Sequence, residues 1–109
     1  MSDVVLVLST APDNDETDAL ARTLIEEKLA ACVNVLPPMT SIYRWQGAIE
    51  RSVERQLIIK TMRSALPALR ARVLELHSYD LPEFIVIDVT SGSAEYLAWI
   101  AAEVSDAHQ

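Results

Sequence analysis

The alternation of short apolar runs with segments of helical periodicity is the feature that most constrains how this chain can fold. The run Val4–Leu8 is unbroken and rich in β-branched residues, which predicts a strand buried on both faces. Two more strands are predicted at Cys32–Leu36, which stops at a pair of prolines, and at Phe84–Val89. None of these runs approaches the ~20 residues of a membrane helix.

Two helices are predicted between these strands. Asp13 followed by Glu16 predicts a capping box, and the apolar spacing carries the first helix to about residues 28–30. The second helix is predicted to start at an N-cap on Ser64, with Pro67 in its first turn, and to end near His77 or Ser78. Its predicted buried stripe is formed by Leu66, Leu69, Val73 and Leu76.

A long hairpin is predicted in the middle of the chain. Its turn is Gln46-Gly47, a glycine-containing pair between Ile42–Trp45 and Val53–Thr61. In the second arm, Leu57, Ile59 and Thr61 alternate with Gln56, Ile58 and Lys60, which is typical of a sheet with one wetter face. A short amphipathic helix closes the chain and contains Tyr96, Leu97, Trp99 and Ile100.

The resulting order, β-α-β-β-α-β plus a C-terminal helix, predicts an α+β fold of the ferredoxin-like split β-α-β type. We expect residues 1–109 to form one domain. In this topology the apolar strand Phe84–Val89 lies at an edge, where an uncovered strand invites pairing with other chains. We therefore expect an oligomer, to which the hairpin around Tyr43 and Trp45 contributes covering surface.

Composition narrows the partners and the compartment. Nine basic against sixteen acidic residues give a net charge of -7, which disfavours nucleic acid and anionic membranes as partners. The single cysteine, Cys32, excludes an intrachain disulfide and a CxxC site and favours a reducing compartment, so we expect a cytoplasmic protein. No nucleophile motif or phosphate-binding loop occurs, and we expect no enzymatic activity.

A divalent metal site is one chemical possibility. His77, Asp80 and Glu83 are close in sequence, with Cys32 as a distant thiolate, and such donors favour Cu(II), zinc or nickel over magnesium. The alternative is that His77 ends a helix, the two acids are solvated turn residues and Cys32 is a small core residue.

A ligand cleft is the other possibility. Tyr43, Trp45 and Tyr79 could stack on a ring, and Lys60 stands on an otherwise apolar strand. The alternative is that the aromatic residues pack within the hairpin or at a subunit contact and that Lys60 points to solvent.

Five segments of the chain form a recognisable set of motifs. They are Leu29-Ala30-Ala31-Cys32-Val33-Asn34, Ser41-Ile42-Tyr43-Arg44-Trp45-Gln46-Gly47, Ile59-Lys60-Thr61, His77-Ser78-Tyr79-Asp80-Leu81-Pro82-Glu83 and Tyr96-Leu97-Ala98-Trp99. Together they resemble the CutA family of divalent-cation tolerance proteins, in order from Val4 to about Ile100. The resemblance implies a ferredoxin-like homotrimer, architecturally similar to PII signalling proteins, with clefts between subunits, and it implies no organic cofactor.

The resemblance also bears on metal binding, since some members bind copper through a cysteine and histidines. This chain has Ser9 at the position of that cysteine and Leu76 at the position of one histidine, which leaves His77. A hydroxyl is a poor ligand for a soft metal, so we expect weak copper binding, with His77 as the main ligand and Glu83 or Asp80 as helpers.

Three functions stay open at this point. The first is a non-catalytic trimer that binds divalent metal such as copper in response to metal ions. The second is a PII-like signalling or binding module that takes a small ligand against Trp45, Tyr79 and Lys60. The third is a structural trimer that organises a protein partner.

Overall fold

Strand β1, Val4–Pro12, lies at the centre of an antiparallel sheet and is four residues longer than its apolar run. A computed structural model describes residues 2–104. The remaining strands of this part of the chain are β2 (Cys32–Val35), β3 (Met39–Trp45), β4 (Ala48–Met62) and β5 (Ile85–Asp88). The helices are α1 (Asp15–Glu26), α2 (Leu66–Leu76) and α3 (Ala94–Glu103), with a 3-10 turn at Arg63–Ala65 before α2.

The strand order is β2-β4-β1-β5, and β3 pairs with the other half of β4. Every pairing is antiparallel, so the predicted α+β architecture of the split β-α-β type is confirmed. The predicted second strand and the first hairpin arm both pair with β4 and are separated by two prolines, which cannot donate to a ladder. Strand β5 pairs with β1 alone among the described strands, so the prediction that the last strand lies at an edge is confirmed.

The main core lies between the sheet and the pair α1 and α2. Leu57 and Ile59 of β4 are fully buried there, because alternate residues of a strand share a face. Of the predicted stripe of α2, Leu69 and Val73 are buried, whereas Leu66 is only half-buried and Leu76 is 38% exposed. The prediction for Leu76 was wrong, because the helix ends there and its last turn extends beyond the packed face.

Helix α3 covers the opposite face of the sheet at one end. It packs through Ile100 against Val4 of β1, in a second buried cluster. The alternation along β4 places Lys60 and Met62 on this face as well.

The helix starts differ from the sequence predictions. The N-cap of α1 is Asn14, whose side chain accepts a hydrogen bond from the Glu16 amide, so the proposed cap on Asp13 was wrong. β1 continues to Pro12 and the amide of Asn14 turns back onto the Pro12 carbonyl, which delays the helix by one residue. Ser64 lies inside the 3-10 turn and does not cap α2, whereas Pro67 is in the first turn as predicted.

The predicted hairpin turn is confirmed at Gln46-Gly47. Both residues have positive φ angles, 52° and 84°, as a two-residue turn between antiparallel strands requires. Because β4 is 15 residues long, its first half extends with β3 beyond the helices. No helix among residues 2–104 is long and apolar enough to cross a membrane.

Candidate functional site

A cleft of about 730 Å³ lies between the β3–β4 hairpin and the segment 78–83 that follows α2. Residues of β3 and β4 that face the cleft alternate in sequence, because a strand presents every second side chain to one face. Thr10 contributes from β1. The lining consists of Thr10, Met39, Ser41, Tyr43, Trp45, Ser52, Glu54, Gln56, Ser78, Tyr79, Asp80, Leu81 and Glu83.

His77 fastens one end of the segment that closes the cleft. Its Nε2 lies 2.7 Å from the carbonyl oxygen of Thr10, and its Nδ1 accepts a hydrogen bond of 3.1 Å from the Tyr79 amide. Since a carbonyl only accepts, this pair of contacts assigns the proton to Nε2. The imidazole also lies against the ring of Tyr79, with 4.5 Å between the centroids.

Tyr79 joins this segment to the base of the hairpin. Its hydroxyl donates a hydrogen bond of 3.0 Å to Oε1 of Glu54, a carboxylate that is only 8% exposed. Burial raises the pKa of Tyr79, and the hydrogen bond to Glu54 and the charge of Glu54 raise it further.

Gln56 holds the other end of the segment. Its side-chain nitrogen donates to the Ser9 carbonyl at 2.7 Å and to Oε2 of Glu83 at 3.1 Å. Strand β4 therefore contacts residues 79 and 83 through two side chains that point the same way, Glu54 and Gln56.

The cleft is acidic. Glu54, Asp80 and Glu83 line it, and within residues 2–104 no Lys, Arg or His is among the residues that line it. The hairpin wall also carries Tyr43 and Trp45, which are 43% and 38% exposed. The cleft thus combines aromatic surface with hydrogen-bond acceptors.

The structure brings together five of the residues singled out from the sequence: Tyr43, Trp45, Tyr79, Asp80 and Glu83. Lys60 lies outside the cleft, where its Nζ is 3.3 Å from the Tyr96 hydroxyl and 5.6 Å from the centre of that ring. His77 lies behind the cleft with both ring nitrogens engaged by backbone groups.

Donors for a metal ion are sparse in the described part of the chain. Residues 2–104 contain no group of three or more His, Cys, Asp or Glu side chains placed to hold a metal together. Cys32 stands on β2 opposite Lys60, away from the cleft lining. The hydroxyl of Ser9 is buried and has no hydrogen-bond partner among these residues.

Glu54 and Gln56 are two residues of the site that the sequence did not predict. The sequence feature that could have indicated them is a row of alternate polar residues in β4, namely Ser52, Glu54 and Gln56. These three residues lie on the same face of the strand as Lys60. That pattern predicts an exposed face, whereas the structure buries Glu54 beneath Tyr79.

A family model described as CutA1 divalent ion tolerance protein matches residues 5–103. The divalent-cation tolerance protein CutA of Thermus thermophilus is 44% identical over 100 residues, which are 92% of this chain and 95% of the relative. The crystal structure of CutA from Xylella fastidiosa superposes with a TM-score of 0.92 at 47% identity, covering 95% of this chain and 100% of that chain.

Relatives are named for different compartments. A CutA protein of Arabidopsis thaliana, 42% identical over 88% of this chain and 53% of the relative, is named chloroplastic. A solved structure from Archaeoglobus fulgidus, with a TM-score of 0.89 and 36% identity over 94% of this chain and 99% of that chain, is described as a periplasmic divalent cation tolerance protein. Sequence and fold agree that the chain belongs to the CutA family of divalent-cation tolerance proteins.

Proposed function

We propose that this protein is a non-catalytic, homotrimeric divalent-cation tolerance protein that binds metal ions such as Cu(II). The observation that carries the proposal is the family match over residues 5–103. The non-catalytic part is supported by His77, whose ring nitrogens are both engaged by backbone groups and so face no neighbouring nucleophile.

The proposed metal ligands are His77, Asp80 and Glu83, which share one segment after α2. Imidazole is the donor in this set that Cu(II) prefers. A metal that binds Nδ1 of His77 must displace the Tyr79 amide, and one that binds Glu83 competes with Gln56. Both costs favour weak binding, with His77 as the main ligand and the carboxylates as helpers.

Calorimetric titration of Cu(II) into the whole chain tests this site. Substitution of His77→Ala should weaken binding by about tenfold or more, a loss of about 1.4 kcal/mol or more. His108→Ala is the matched control, because these are the two histidines of the chain, and it should leave the affinity unchanged. Equal affinities for wild type and His77→Ala would contradict the proposed ligand.

The proposed trimer is supported by apolar surface on the edge strand. Ile85, Val86 and Ile87 of β5 are all exposed, and the hairpin exposes Ile42 and Ile49. An uncovered edge of this kind pairs readily with another chain.

Light scattering on the purified protein tests the assembly. We expect a mass three times that of the chain, reduced by Ile87→Lys on β5. Leu74→Lys on α2 is a control at an exposed leucine away from the edge, and it should keep the wild-type mass. A monomeric wild-type protein would contradict the trimer.

The cleft favours a second candidate, a binding module for a small organic ligand. Its volume of about 730 Å³ suits a drug-sized molecule, and Tyr43, Trp45 and Tyr79 line it. Lys60 lies outside that lining and is assigned no part in it. A thermal-shift screen of charged and neutral metabolites tests this candidate, since a ligand at 100 times its Kd adds about 2.7 kcal/mol. A screen in which no compound raises Tm would contradict a binding module for small organic ligands.

The proposed compartment is the cytoplasm, on the ground of the single cysteine Cys32. Compartments differ among relatives, so cell fractionation with a tagged chain is the test. Recovery in an oxidising compartment would contradict the proposal.

A further inference from the structure

We propose that the cleft between the hairpin and the segment 78–83 binds an organic cation, a primary amine or guanidine carried on a short apolar chain. The inference rests on the second candidate function, to which it adds the chemical class of the ligand. The cleft shares Asp80 and Glu83 with the proposed metal site, whereas His77, the main proposed metal ligand, lies outside the lining.

The first argument is the charge of the lining. Glu54, Asp80 and Glu83 line the cleft with carboxylates, and no Lys, Arg or His of the described part of the chain lines it. A concave acidic surface raises the local concentration of cations and repels anions. An anionic metabolite is therefore disfavoured at this place.

The second argument is that Glu54 is buried without a cationic side chain beside it among the described residues. Glu54 is only 8% exposed, and within residues 2–104 no Lys, Arg or His nitrogen lies within 4.0 Å of its carboxylate. The hydroxyl of Tyr79 donates to Oε1, and Oε2 accepts no hydrogen bond from the described side chains. A buried carboxylate without a cation is costly, and an ammonium group within hydrogen-bond distance recovers that cost.

The third argument is the hydrogen-bonding direction of the other fixed groups. The side-chain nitrogen of Gln56 is used by Ser9 and Glu83, so its carbonyl oxygen is the part left to a ligand. Glu83 and Glu54 offer oxygen atoms only. A ligand that matches these groups must donate, as ammonium and guanidinium groups do.

The fourth argument is the aromatic wall. Tyr43 and Trp45 are two residues apart on β3, so they share the face that lines the cleft, and Tyr79 stands on the segment opposite. Aromatic faces attract ammonium and guanidinium groups and also cover an attached alkyl chain. Divalent metal ions gain nothing from such a wall, and the three carboxylates do not form a metal-binding group.

A matched set of five-carbon probes tests the inference by calorimetry on the whole protein. The set is 1,5-diaminopentane, 1,5-pentanediol and glutarate, which share their chain length and differ in terminal charge. We expect the diamine to bind and the other two not to bind. Tighter or equal binding of the diol or of glutarate would overturn the cation inference while leaving the second candidate function in place.

Two substitutions test whether the diamine binds in the cleft. Glu54→Gln keeps the shape of the side chain and an acceptor for Tyr79, and it should weaken diamine binding by about tenfold or more. Glu95→Gln removes the same charge from the start of α3, outside the cleft lining, and should change the affinity less than about twofold. Equal effects of the two substitutions would reduce the interaction to general charge attraction and overturn the proposal.

Fluorescence gives a readout that does not depend on how Glu54→Gln folds. The chain has two tryptophans, so in a Trp99→Phe background the emission reports Trp45 alone. We expect the diamine to change this emission with the same Kd as in calorimetry. No diamine binding, together with a smaller assembly for Glu54→Gln, would assign the carboxylate to a contact between copies and overturn the proposal.

Discussion

The hydroxyl of Tyr79 donates a 3.0 Å hydrogen bond to Oε1 of Glu54, across 25 residues of sequence. This bond joins the segment that follows α2 to Glu54, near the middle of β4. Together with the bond from Gln56 to Glu83, it holds the segment over the cleft. The geometry of the candidate site therefore depends on two polar side chains of one strand face.

Loss of the Tyr79 hydroxyl should destabilise the fold through Glu54. Tyr79→Phe leaves a buried carboxylate without its donor, and we expect the free energy of unfolding to fall by about 1–3 kcal/mol. In a Glu54→Gln background the same substitution should cost less, because the buried group is no longer charged. Urea unfolding of the four proteins measures the coupling. Equal losses in both backgrounds would contradict the interaction. Tyr43→Phe is the control, because the hydroxyl of Tyr43 makes no hydrogen bond to any of the described residues.

The alkaline titration of the tyrosines should single out Tyr79. Its pKa is raised by burial and by Glu54, so the folded state favours the neutral phenol. This contribution to stability is complete below the ordinary tyrosine pKa of about 10 and is lost as pH rises above it. Absorbance of phenolate in the folded wild type and in Tyr79→Phe checks this. The substitution should remove a phenol whose pKa lies above the ordinary tyrosine value. If Tyr79→Phe instead removed a phenol that ionises at the ordinary tyrosine pKa of about 10, the raised pKa of Tyr79 would be contradicted.

His77 should hold its proton on Nε2. The Thr10 carbonyl accepts from this nitrogen and the Tyr79 amide donates to Nδ1, and only one neutral tautomer satisfies both contacts. Long-range nitrogen–proton NMR spectra at neutral pH distinguish the two tautomers. A proton on Nδ1 would be incompatible with this arrangement. Addition of Cu(II) should broaden the resonance of the Tyr79 amide, because a paramagnetic ion bound at Nδ1 lies beside that amide.

A substitution at Lys28 should stabilise the protein. Lys28 follows α1 with a φ angle of 59°, and its neighbour Leu29 donates back to the Leu24 carbonyl to close the helix end. A side chain in this left-handed conformation costs about 1 kcal/mol, which glycine avoids. We therefore expect Lys28→Gly to raise the free energy of unfolding by about 0.5–1 kcal/mol.

Lys28→Ala is the control for the loss of charge at this position. It keeps a Cβ atom and should not stabilise the fold. Thermal unfolding of both variants separates the effect of the backbone conformation from the effect of the lost charge. A lower Tm for Lys28→Gly than for wild type would contradict the prediction that the positive φ angle at Lys28 costs stability.

Local features of the sequence predicted most of the elements. The unbroken run Val4–Leu8, the helical spacing before Cys32 and the pair Gln46-Gly47 each act over a few residues, and each corresponds to an element of the structure. Strand ends were less predictable. β1 continues to Pro12 because Thr10, Ala11 and Pro12 pair with the polar half of β4, a partner more than forty residues away in the chain.

The sequence alone predicted the family and five residues of the cleft, because a motif is recognised from the order and chemistry of consecutive residues. The five residues are Tyr43, Trp45, Tyr79, Asp80 and Glu83. Only the tertiary structure decided that Glu54 and Gln56 meet the segment 78–83 and that Lys60 does not. The physical reason is the register of β4 against β1. It sets Gln56 opposite Thr10 and Lys60 opposite Leu6, and so places one beside the cleft and the other beneath α3. A register of this kind is fixed by the packing of Leu57 and Ile59 in the core, which no local pattern around the site records.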